Sequence, residues 1–231
     1  MSGRHLRRGA CGGLLVALLA GCASTPAPPQ ALAEAGVPSP ALAGHADLPL
    51  QASIDAFLAG LSRRCGQAYA GVVEIDVPAS TDSTFAGKPL VMHVRECGTG
   101  AVRVPFHVGE DRSRTWVFTR TPSGLRFKHD HRHADGSPDA LTMYGGDAAV
   151  ARAPAPSSLR IAFPVDAESI AMFQAGGRAV STTNTWAVEL SDNRFVYELS
   201  RPGGRLFRVV FDLDRPVPAP PPPWGASDIV P

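Results

Sequence analysis

Most of the chain from residue 70 onward consists of short segments in which apolar and polar residues alternate, separated by turn-forming residues. Alternation of this kind is typical of β-strands with one buried face, because successive side chains point to opposite sides of a strand. Ten such segments are AGVVEIDV, PLVMHVREC, AVRVPFHV, RTWVFTR, GLRFKHDHRH, ALTMY, LRIAFP, VSTTNTWAVEL, NRFVYEL and RLFRVVFDL. The clusters between them, such as CGTGA, GEDRS and RPGG, are typical of hairpin turns. The sequence therefore predicts a mainly β fold.

The connections between these segments are short, which favours antiparallel pairing of strands that follow one another in the chain. We expect an up-and-down barrel of the lipocalin or fatty-acid-binding type, and a two-sheet β-sandwich is the alternative. Apolar residues at helical spacing predict an N-terminal helix over residues 50–64. A second, short helix is predicted over 166–174, with Asp166 as its N-cap.

The N-terminal residues have the order expected of an export signal. Arg4, Arg7 and Arg8 precede a short apolar run that ends in Leu-Ala-Gly-Cys at Cys22. This ending resembles the lipobox of bacterial lipoproteins, in which the cysteine is lipidated and becomes the first mature residue. The resemblance implies that residues 1–21 are a signal peptide. Ala23 follows the cysteine in place of the aspartate typical of inner-membrane retention, so we expect an outer-membrane anchor on the periplasmic face.

The rest of the chain is predicted to comprise a tether, one domain and a C-terminal strap. Residues 22–48 are rich in Pro and Ala and lack the bulky apolar residues of a core. Residues 49–215 are the predicted single β-rich domain, and 216–231 form a Pro-rich strap laid over its surface with Trp224 as anchor. Loss of the signal removes three arginines and no acids, so the formal charge falls from +1 to −2. This charge does not favour nucleic acid as a partner.

Two cysteines remain in the predicted domain, Cys65 and Cys97. An exported chain with two such cysteines usually joins them, because the compartment is oxidising. Neither cysteine lies in a CxxC motif that would indicate a redox-active thiol. The sequence predicts a structural disulfide.

Residues 128–139, KHDHRHADGSPD, contain the candidate site residues His129, His131, His133, Asp135 and Asp139. In a strand, the three histidines share a face with the apolar residues that precede them. That face is predicted to be the barrel interior. The opposite face is predicted to lie in water, and it carries Arg126, Lys128, Asp130 and Arg132.

Three roles for the histidines follow from this placement: hydrogen bonding at the rim, an organic-ligand pocket, or a metal site. Side chains two residues apart in a strand are about 7 Å apart and can converge on one ion, whereas those four apart, at about 13 Å, cannot. A divalent metal would therefore take at most two of them, with His129 and His131 as the candidates. A further ligand would come from Asp135, Asp139 or His93. No cofactor is otherwise indicated.

Other polar features carry weaker signals. His93 and His107 stand alone in apolar strands, which favours a structural role. The GEDRSR segment, residues 109–114, is interpreted as a solvated turn, with an anion-binding loop as the alternative. Motifs for known nucleophiles and metalloproteases, such as GxSxG and HExxH, do not occur in the sequence. No catalytic residue is predicted.

The combination of KHDHRHADGSPD, TMYGGD, NTWAVEL, FVYELSRPGGRLFRVVFDL and PPPPWG resembles a group of exported bacterial proteins without an established activity. The resemblance covers about residues 70–226. It implies export and a shared fold, and it assigns no functional residue.

These observations predict a non-enzymatic outer-membrane lipoprotein whose β-barrel binds a small apolar or mixed ligand, or an envelope partner. One alternative is a metal-assisted hydrolase that uses His129 and His131. Another is a purely structural envelope component.

Replacing Cys22 with serine removes the sulfur that the lipobox resemblance assigns to lipidation. We expect the Cys22→Ser chain to stay unprocessed or to appear in the soluble fraction, while the parent chain stays in the membrane fraction. Cys11→Ser, which leaves the box intact, is the matched control. Cell fractionation and mass spectrometry of the mature N-terminus make the test. An unmodified mature N-terminus at another residue would contradict the assignment.

Overall fold

The computed structural model describes residues 49–79, 84–153 and 157–226. The predicted signal peptide and tether, Cys22 included, lie outside the described residues. The helices are α1 (Leu50–Ser62), α2 (Ala167–Ala175) and a short 3-10 helix (Ala179–Thr183). The strands are β1 (Ala68–Val77), β2 (Leu90–His93), β3 (Glu96–Cys97), β4 (Ala101–Val108), β5 (Asp111–Thr121), β6 (Gly124–His131), β7 (Tyr144–Asp147), β8 (Val150–Arg152), β9 (Leu159–Pro164), β10 (Thr185–Leu190), β11 (Arg194–Arg201) and β12 (Arg205–Val217).

All these strands belong to one antiparallel sheet that curls into a half-barrel. Its order is β7-β6-β5-β4-β2-β1-β12-β11-β10-β9-β8, with β3 paired to β4 beside this path. The first and last strands are neighbours, as in an up-and-down barrel, and the order is interrupted between β7 and β8. The mainly β, barrel-like prediction is confirmed. The two-sheet sandwich is wrong for the described residues, because their strands form a single sheet.

The described residues form twelve strands in place of the predicted ten, because one segment divides in two and β8 was not predicted, and two further segments begin later than predicted. PLVMHVREC divides into β2 and β3, and Val94 between them hydrogen-bonds to Gln67. ALTMY is extended only from Tyr144, after Met143 at a φ of 57°. The Ser/Thr-rich start of VSTTNTWAVEL forms the 3-10 helix, since hydroxyl side chains compete for backbone hydrogen bonds.

Helix α1 begins at the predicted residue and packs against one end of the curled sheet. Ile54, Phe57 and Leu61 recur at helical spacing and are fully buried. The Phe57 ring meets Phe118 of β5 edge to face, with 5.1 Å between centroids. Full burial of a side chain of this size contributes about 1.5–3 kcal/mol relative to exposure. The helix therefore fills this end with apolar side chains.

The gap between the edges of the sheet is narrowed where β7 meets the segment linking β9 to α2. The backbone N–H of Asp166 donates to the Gly145 carbonyl at 2.9 Å, and the Gly145 N–H donates to Ser169 Oγ at 2.8 Å. A Cβ on Gly145 would lie 1.9 Å from the Phe127 carbonyl oxygen. A Cβ on Gly146 would lie 1.8 Å from the Pro164 carbonyl oxygen. The Gly-Gly pair thus permits a backbone approach that no other residue allows.

The charged face of β6 is exposed at Arg126, as predicted, but the prediction that it lies in water is wrong for Lys128 and Asp130. Lys128 and Asp130 are 5% and 4% exposed. Lys128 Nζ lies 2.8 Å from Asp166 at the start of α2, and Asp130 receives Arg103 of β4 at 2.6 Å. Both partners come from distant parts of the chain. They compensate the two buried charges, each of which would destabilise the fold if it were left without a partner.

The Pro-rich segment after β12 lies along the outer face of β5. β12 extends to Val217, two residues into the predicted strap. Arg112 Nη1 donates to the Pro222 carbonyl, and the Trp224 N–H donates to the Arg112 carbonyl, each at 3.1 Å. Pro223 is buried, whereas Trp224 is half-buried. The described part of the segment, up to residue 226, behaves as a strap.

The predicted disulfide between Cys65 and Cys97 is confirmed, with a Cα–Cα distance of 6.1 Å. It joins the turn after α1 to β3. The predicted second helix is also confirmed, because Asp166 caps α2 by accepting the Ser169 N–H at 2.8 Å.

Gly146→Ala tests whether backbone contact holds the edges together. We expect the free energy of unfolding to fall by about 2 kcal/mol or more, because the new methyl group meets a backbone oxygen that cannot rotate away. Gly100→Ala is the matched control, since a Cβ there meets nothing within 4 Å. Urea denaturation of both variants makes the measurement. Equal stability of the two variants would show that this backbone contact does not hold β7 against the segment that links β9 to α2.

Candidate ligand-binding site

The histidine run reaches the interior of the curled sheet through His129 of β6. His129 is 3% exposed and its ring lies 4.5 Å from Phe127, 4.7 Å from Tyr144 and 5.1 Å from Trp186, centroid to centroid. The expected parity is therefore correct for this residue. The imidazole forms part of an aromatic wall.

Both ring nitrogens of His129 have partners. Nδ1 lies 3.2 Å from the Tyr144 carbonyl oxygen, which can only accept, so Nδ1 carries the proton. Nε2 lies 3.0 Å from the Tyr197 hydroxyl, which therefore donates to it. This chain of bonds fixes the ring in one tautomer and one orientation.

His131 lies nearer the surface and bonds to the same strand as His129. Its Nε2 lies 3.0 Å from the Tyr144 hydroxyl, and its ring is half-buried. Tyr144 thus holds His129 through its carbonyl and His131 through its hydroxyl. The two histidines are joined by one residue of β7.

Burial keeps this group of side chains uncharged at neutral pH. Desolvation, reinforced by neighbouring His131, lowers the pKa of His129 from 6.5 to about 3. Burial and the charge of Arg114 lower the pKa of His131 to about 4. Burial raises the pKa of Tyr144 to about 12 and that of Tyr197 well above 10. A neutral imidazole with both nitrogens bonded is a structural hydrogen-bonding group.

A cavity of about 430 Å³ opens beside these residues. It lies where β10 begins and β11 ends, at the opposite end of the sheet from the contact between α1 and Leu190. Its walls are mainly aromatic and include Phe106, Trp116, Tyr144, Phe173, Trp186 and Tyr197. Trp116 stacks between Phe106, at 4.7 Å, and Tyr197, at 4.6 Å.

Of the five candidate residues, the structure brings three to the cavity. His129, His131 and Asp139 line it. His133 and Asp135 belong to the turn that follows β6, where Asp135 accepts the Ser137 N–H at 2.9 Å. The last two are not brought to the cavity, because the chain turns away after His131.

The described residues contain no group of three or more His, Cys, Asp or Glu side chains arranged to hold a metal ion. The Nε2 atoms of His129 and His131 each face a tyrosine hydroxyl. A metal at either nitrogen would have to displace that tyrosine. The donor arrangement therefore gives no support to the metal interpretation.

Four arginines at the cavity were missed by sequence reasoning: Arg114, Arg178, Arg201 and Arg205. They come from β5, the segment after α2, and the hairpin between β11 and β12. Arg114 had been assigned to a solvated turn, but it lies in β5 and is half-buried. Nothing in the sequence signals their convergence, because it arises from the curl of the sheet.

A second depression, of about 350 Å³, lies under the strap and is lined by Arg95, Arg103, Asp130, Arg132 and Trp224 among others. Its arginines already have carboxylate partners, since Arg95 and Arg103 contact Glu96, and Arg103 and Arg132 contact Asp130. The aromatic cavity is the better candidate, because it combines aromatic walls with polar groups that could orient a ligand.

Comparisons with protein-family models, with curated proteins and with solved structures find no match to this chain. Among the residues that the structure describes, no helix combines the length and apolar character needed to cross a membrane.

The lowered pKa of His129 predicts a loss of stability in acid. Below pH 6.5 the imidazole of residue 129 is protonated in the unfolded chain, but in the folded chain it stays neutral down to about pH 3. The free energy of unfolding therefore falls as the pH falls through this window. The contribution approaches about 1.4 kcal/mol per pH unit. His129→Gln should remove this part of the slope, and His133→Gln is the control for loss of a histidine. Denaturation between pH 7 and about 4.5 measures it.

The same protonation is visible directly by NMR. An imidazole of His129 that titrates with a midpoint near about 6.5 would contradict its burial.

Proposed function

We propose that this chain is a non-enzymatic lipoprotein of the outer membrane, facing the periplasm, whose half-barrel binds a small ligand with apolar and polar parts. The observation that carries the proposal is the cavity of about 430 Å³ with aromatic walls and a polar rim. Its size lies in the range of sites for small organic molecules. The lipobox resemblance at Cys22 supports the anchor.

The side chains of the cavity walls are held in position before a ligand binds. His129 and Tyr197 are linked by a hydrogen bond, and Trp116 stacks on Tyr197 with 13° between ring planes. A ligand would then meet rings that are already in place, which lowers the entropy cost of binding. Aromatic rings also offer a large contact area for apolar groups.

The same arrangement supports binding over catalysis. A general base needs a nitrogen that is free to accept a proton and a pKa near the working pH. His129 has both nitrogens bonded, and the pKa of His131 is lowered to about 4. The metal-assisted hydrolase and the structural envelope component remain alternatives without a specific observation in their favour.

The neutral fluorescent probe N-phenyl-1-naphthylamine tests the proposal. We expect the soluble Cys22→Ser chain to bind it saturably, at one site per chain, with a rise in probe fluorescence. Ser181→Trp introduces a large side chain at the cavity wall and should weaken binding by about tenfold or more.

Ser123→Trp is the matched control, since Ser123 lies in the exposed turn between β5 and β6. Absence of saturable binding by the parent chain would reject the proposal and favour a structural role. Equal binding by the Ser181→Trp and Ser123→Trp variants would place the probe outside the cavity and reject it as well.

A further inference from the structure

The polar rim of the cavity is strongly biased towards positive charge. Arg114, Arg178, Arg201 and Arg205 line it, whereas Asp139 is the acid that lines it. A rim of one sign next to low-dielectric walls concentrates ions of the opposite sign. The attraction for an anion depends on which of these arginines already have a carboxylate partner within the protein.

Two of the four have carboxylate partners. Arg114 Nη1 lies 2.6 Å from Asp111 Oδ2, and Arg205 forms an ion pair with Asp76. Both guanidinium groups also lie over aromatic rings, Arg114 over Phe85 and Arg205 over Phe207. These contacts hold the two side chains in the wall.

Arg201, at the end of β11, lacks such neutralisation. It is half-buried, and Nε donates to the amide oxygen of Asn184, which is a neutral partner that is itself 4% exposed. Burial and the neighbouring charge of Arg205 lower the pKa of Arg201. Across the described ranges, no carboxylate pairs with this guanidinium. A half-buried cation beside a second cation is an arrangement that an anion would stabilise.

Arg178 lines the same cavity. It follows the C-terminal end of α2 and is exposed, and its side chain has no ion-pair partner within the described part of the chain. Its flexible side chain can reach a group held at the mouth of the cavity. Arg201 and Arg178 thus supply two guanidinium groups that the fold does not use.

We propose that the ligand is an amphiphile with a compact oxyanion, such as a carboxylate, sulfonate or phosphate, bound by Arg201 and Arg178 at the rim while its apolar part packs against the aromatic side chains of the wall. This inference rests on the proposed function and names the ligand class of the same site. Guanidinium groups suit oxyanions because their planar fork donates two parallel hydrogen bonds.

The Asn184 contact explains how the site remains selective. By accepting from Nε, Asn184 fixes the plane of the Arg201 guanidinium and leaves the terminal nitrogens for the ligand. A neutral analogue of the ligand would bury these donors without a partner, which costs binding free energy. Anionic ligands are therefore preferred over neutral ones of the same shape.

Two probes with nearly the same skeleton test the proposal. 1-Anilinonaphthalene-8-sulfonate carries one sulfonate, and N-phenyl-1-naphthylamine lacks it. We expect the soluble Cys22→Ser chain to bind the sulfonate about 10- to 100-fold more tightly, as expected for charge-assisted hydrogen bonds. The preference should shrink as the salt concentration rises.

Variants of this chain assign the preference to particular residues. Arg201→Gln should abolish most of it, Arg201→Lys should retain part of it, and Arg178→Gln should reduce it. Arg215→Gln is the matched control, because it removes the same charge from a side chain that is 84% exposed and paired with Asp212 outside the cavity. Binding of the neutral probe should stay unchanged in Arg215→Gln. It should not weaken in Arg201→Gln, because this variant removes donors that the neutral probe leaves without a partner.

The outcomes separate this inference from the proposed function. Equal affinity for both probes would overturn the oxyanion preference and leave a ligand-binding cavity. A preference that Arg215→Gln reduces as much as Arg201→Gln would overturn it too, because the effect would then reflect overall charge. Failure of both probes to bind would instead reject the proposed function. Near-ultraviolet circular dichroism confirms that each variant is folded.

Discussion

The close approach of two backbone segments at Gly145 and Gly146 is the constraint on which the candidate site depends. A curled sheet that stops short of closing leaves unpaired N–H and C=O groups along its edges. Here the Gly145 groups are paired with the start of α2, through Asp166 and Ser169, at distances of 2.9 and 2.8 Å. Tyr144, the preceding residue, is thereby held so that its carbonyl meets His129 and its hydroxyl meets His131. The edge contact and the cavity wall are built from the same short strand.

Buried ionic and polar groups make this arrangement specific. A buried ion pair contributes little net stability, but separating its partners leaves an uncompensated charge and costs several kcal/mol. Lys128 joins β6 to the beginning of α2 through Asp166, and Asp130 joins β6 to β4 through Arg103. Alternative positions of α2 would strand the Lys128 ammonium group in an apolar setting. The outer face of β6 therefore fixes the register of elements whose inner face forms the cavity.

The sequence predicts features that depend on neighbouring residues, and it does not predict contacts between residues that are far apart in the chain. Alternation along GLRFKHDHRH predicted the inward direction of His129, because parity within a strand depends only on neighbouring residues. The burial of Lys128 could not be predicted in this way, since its partner Asp166 lies 38 residues away on another element. Arg178 and Arg201 gave no signal either, because single arginines near turns are usually solvated. Convergence of such residues is a property of the sheet's curl, which alternation alone does not encode.

The division of the cavity into aromatic walls and a cationic rim would orient the proposed ligand. Apolar groups gain free energy wherever they leave water, so aromatic walls alone would accept many molecules in several orientations. A guanidinium at the rim removes this freedom, since the polar end of a ligand then has one favourable position. Arg201 is suited to that role because Asn184 holds it at the edge of the apolar region, where solvent no longer fully screens its charge. The neutral His129–Tyr197 pair adds no charge to the cavity wall, so the charge there comes from the four arginines and Asp139.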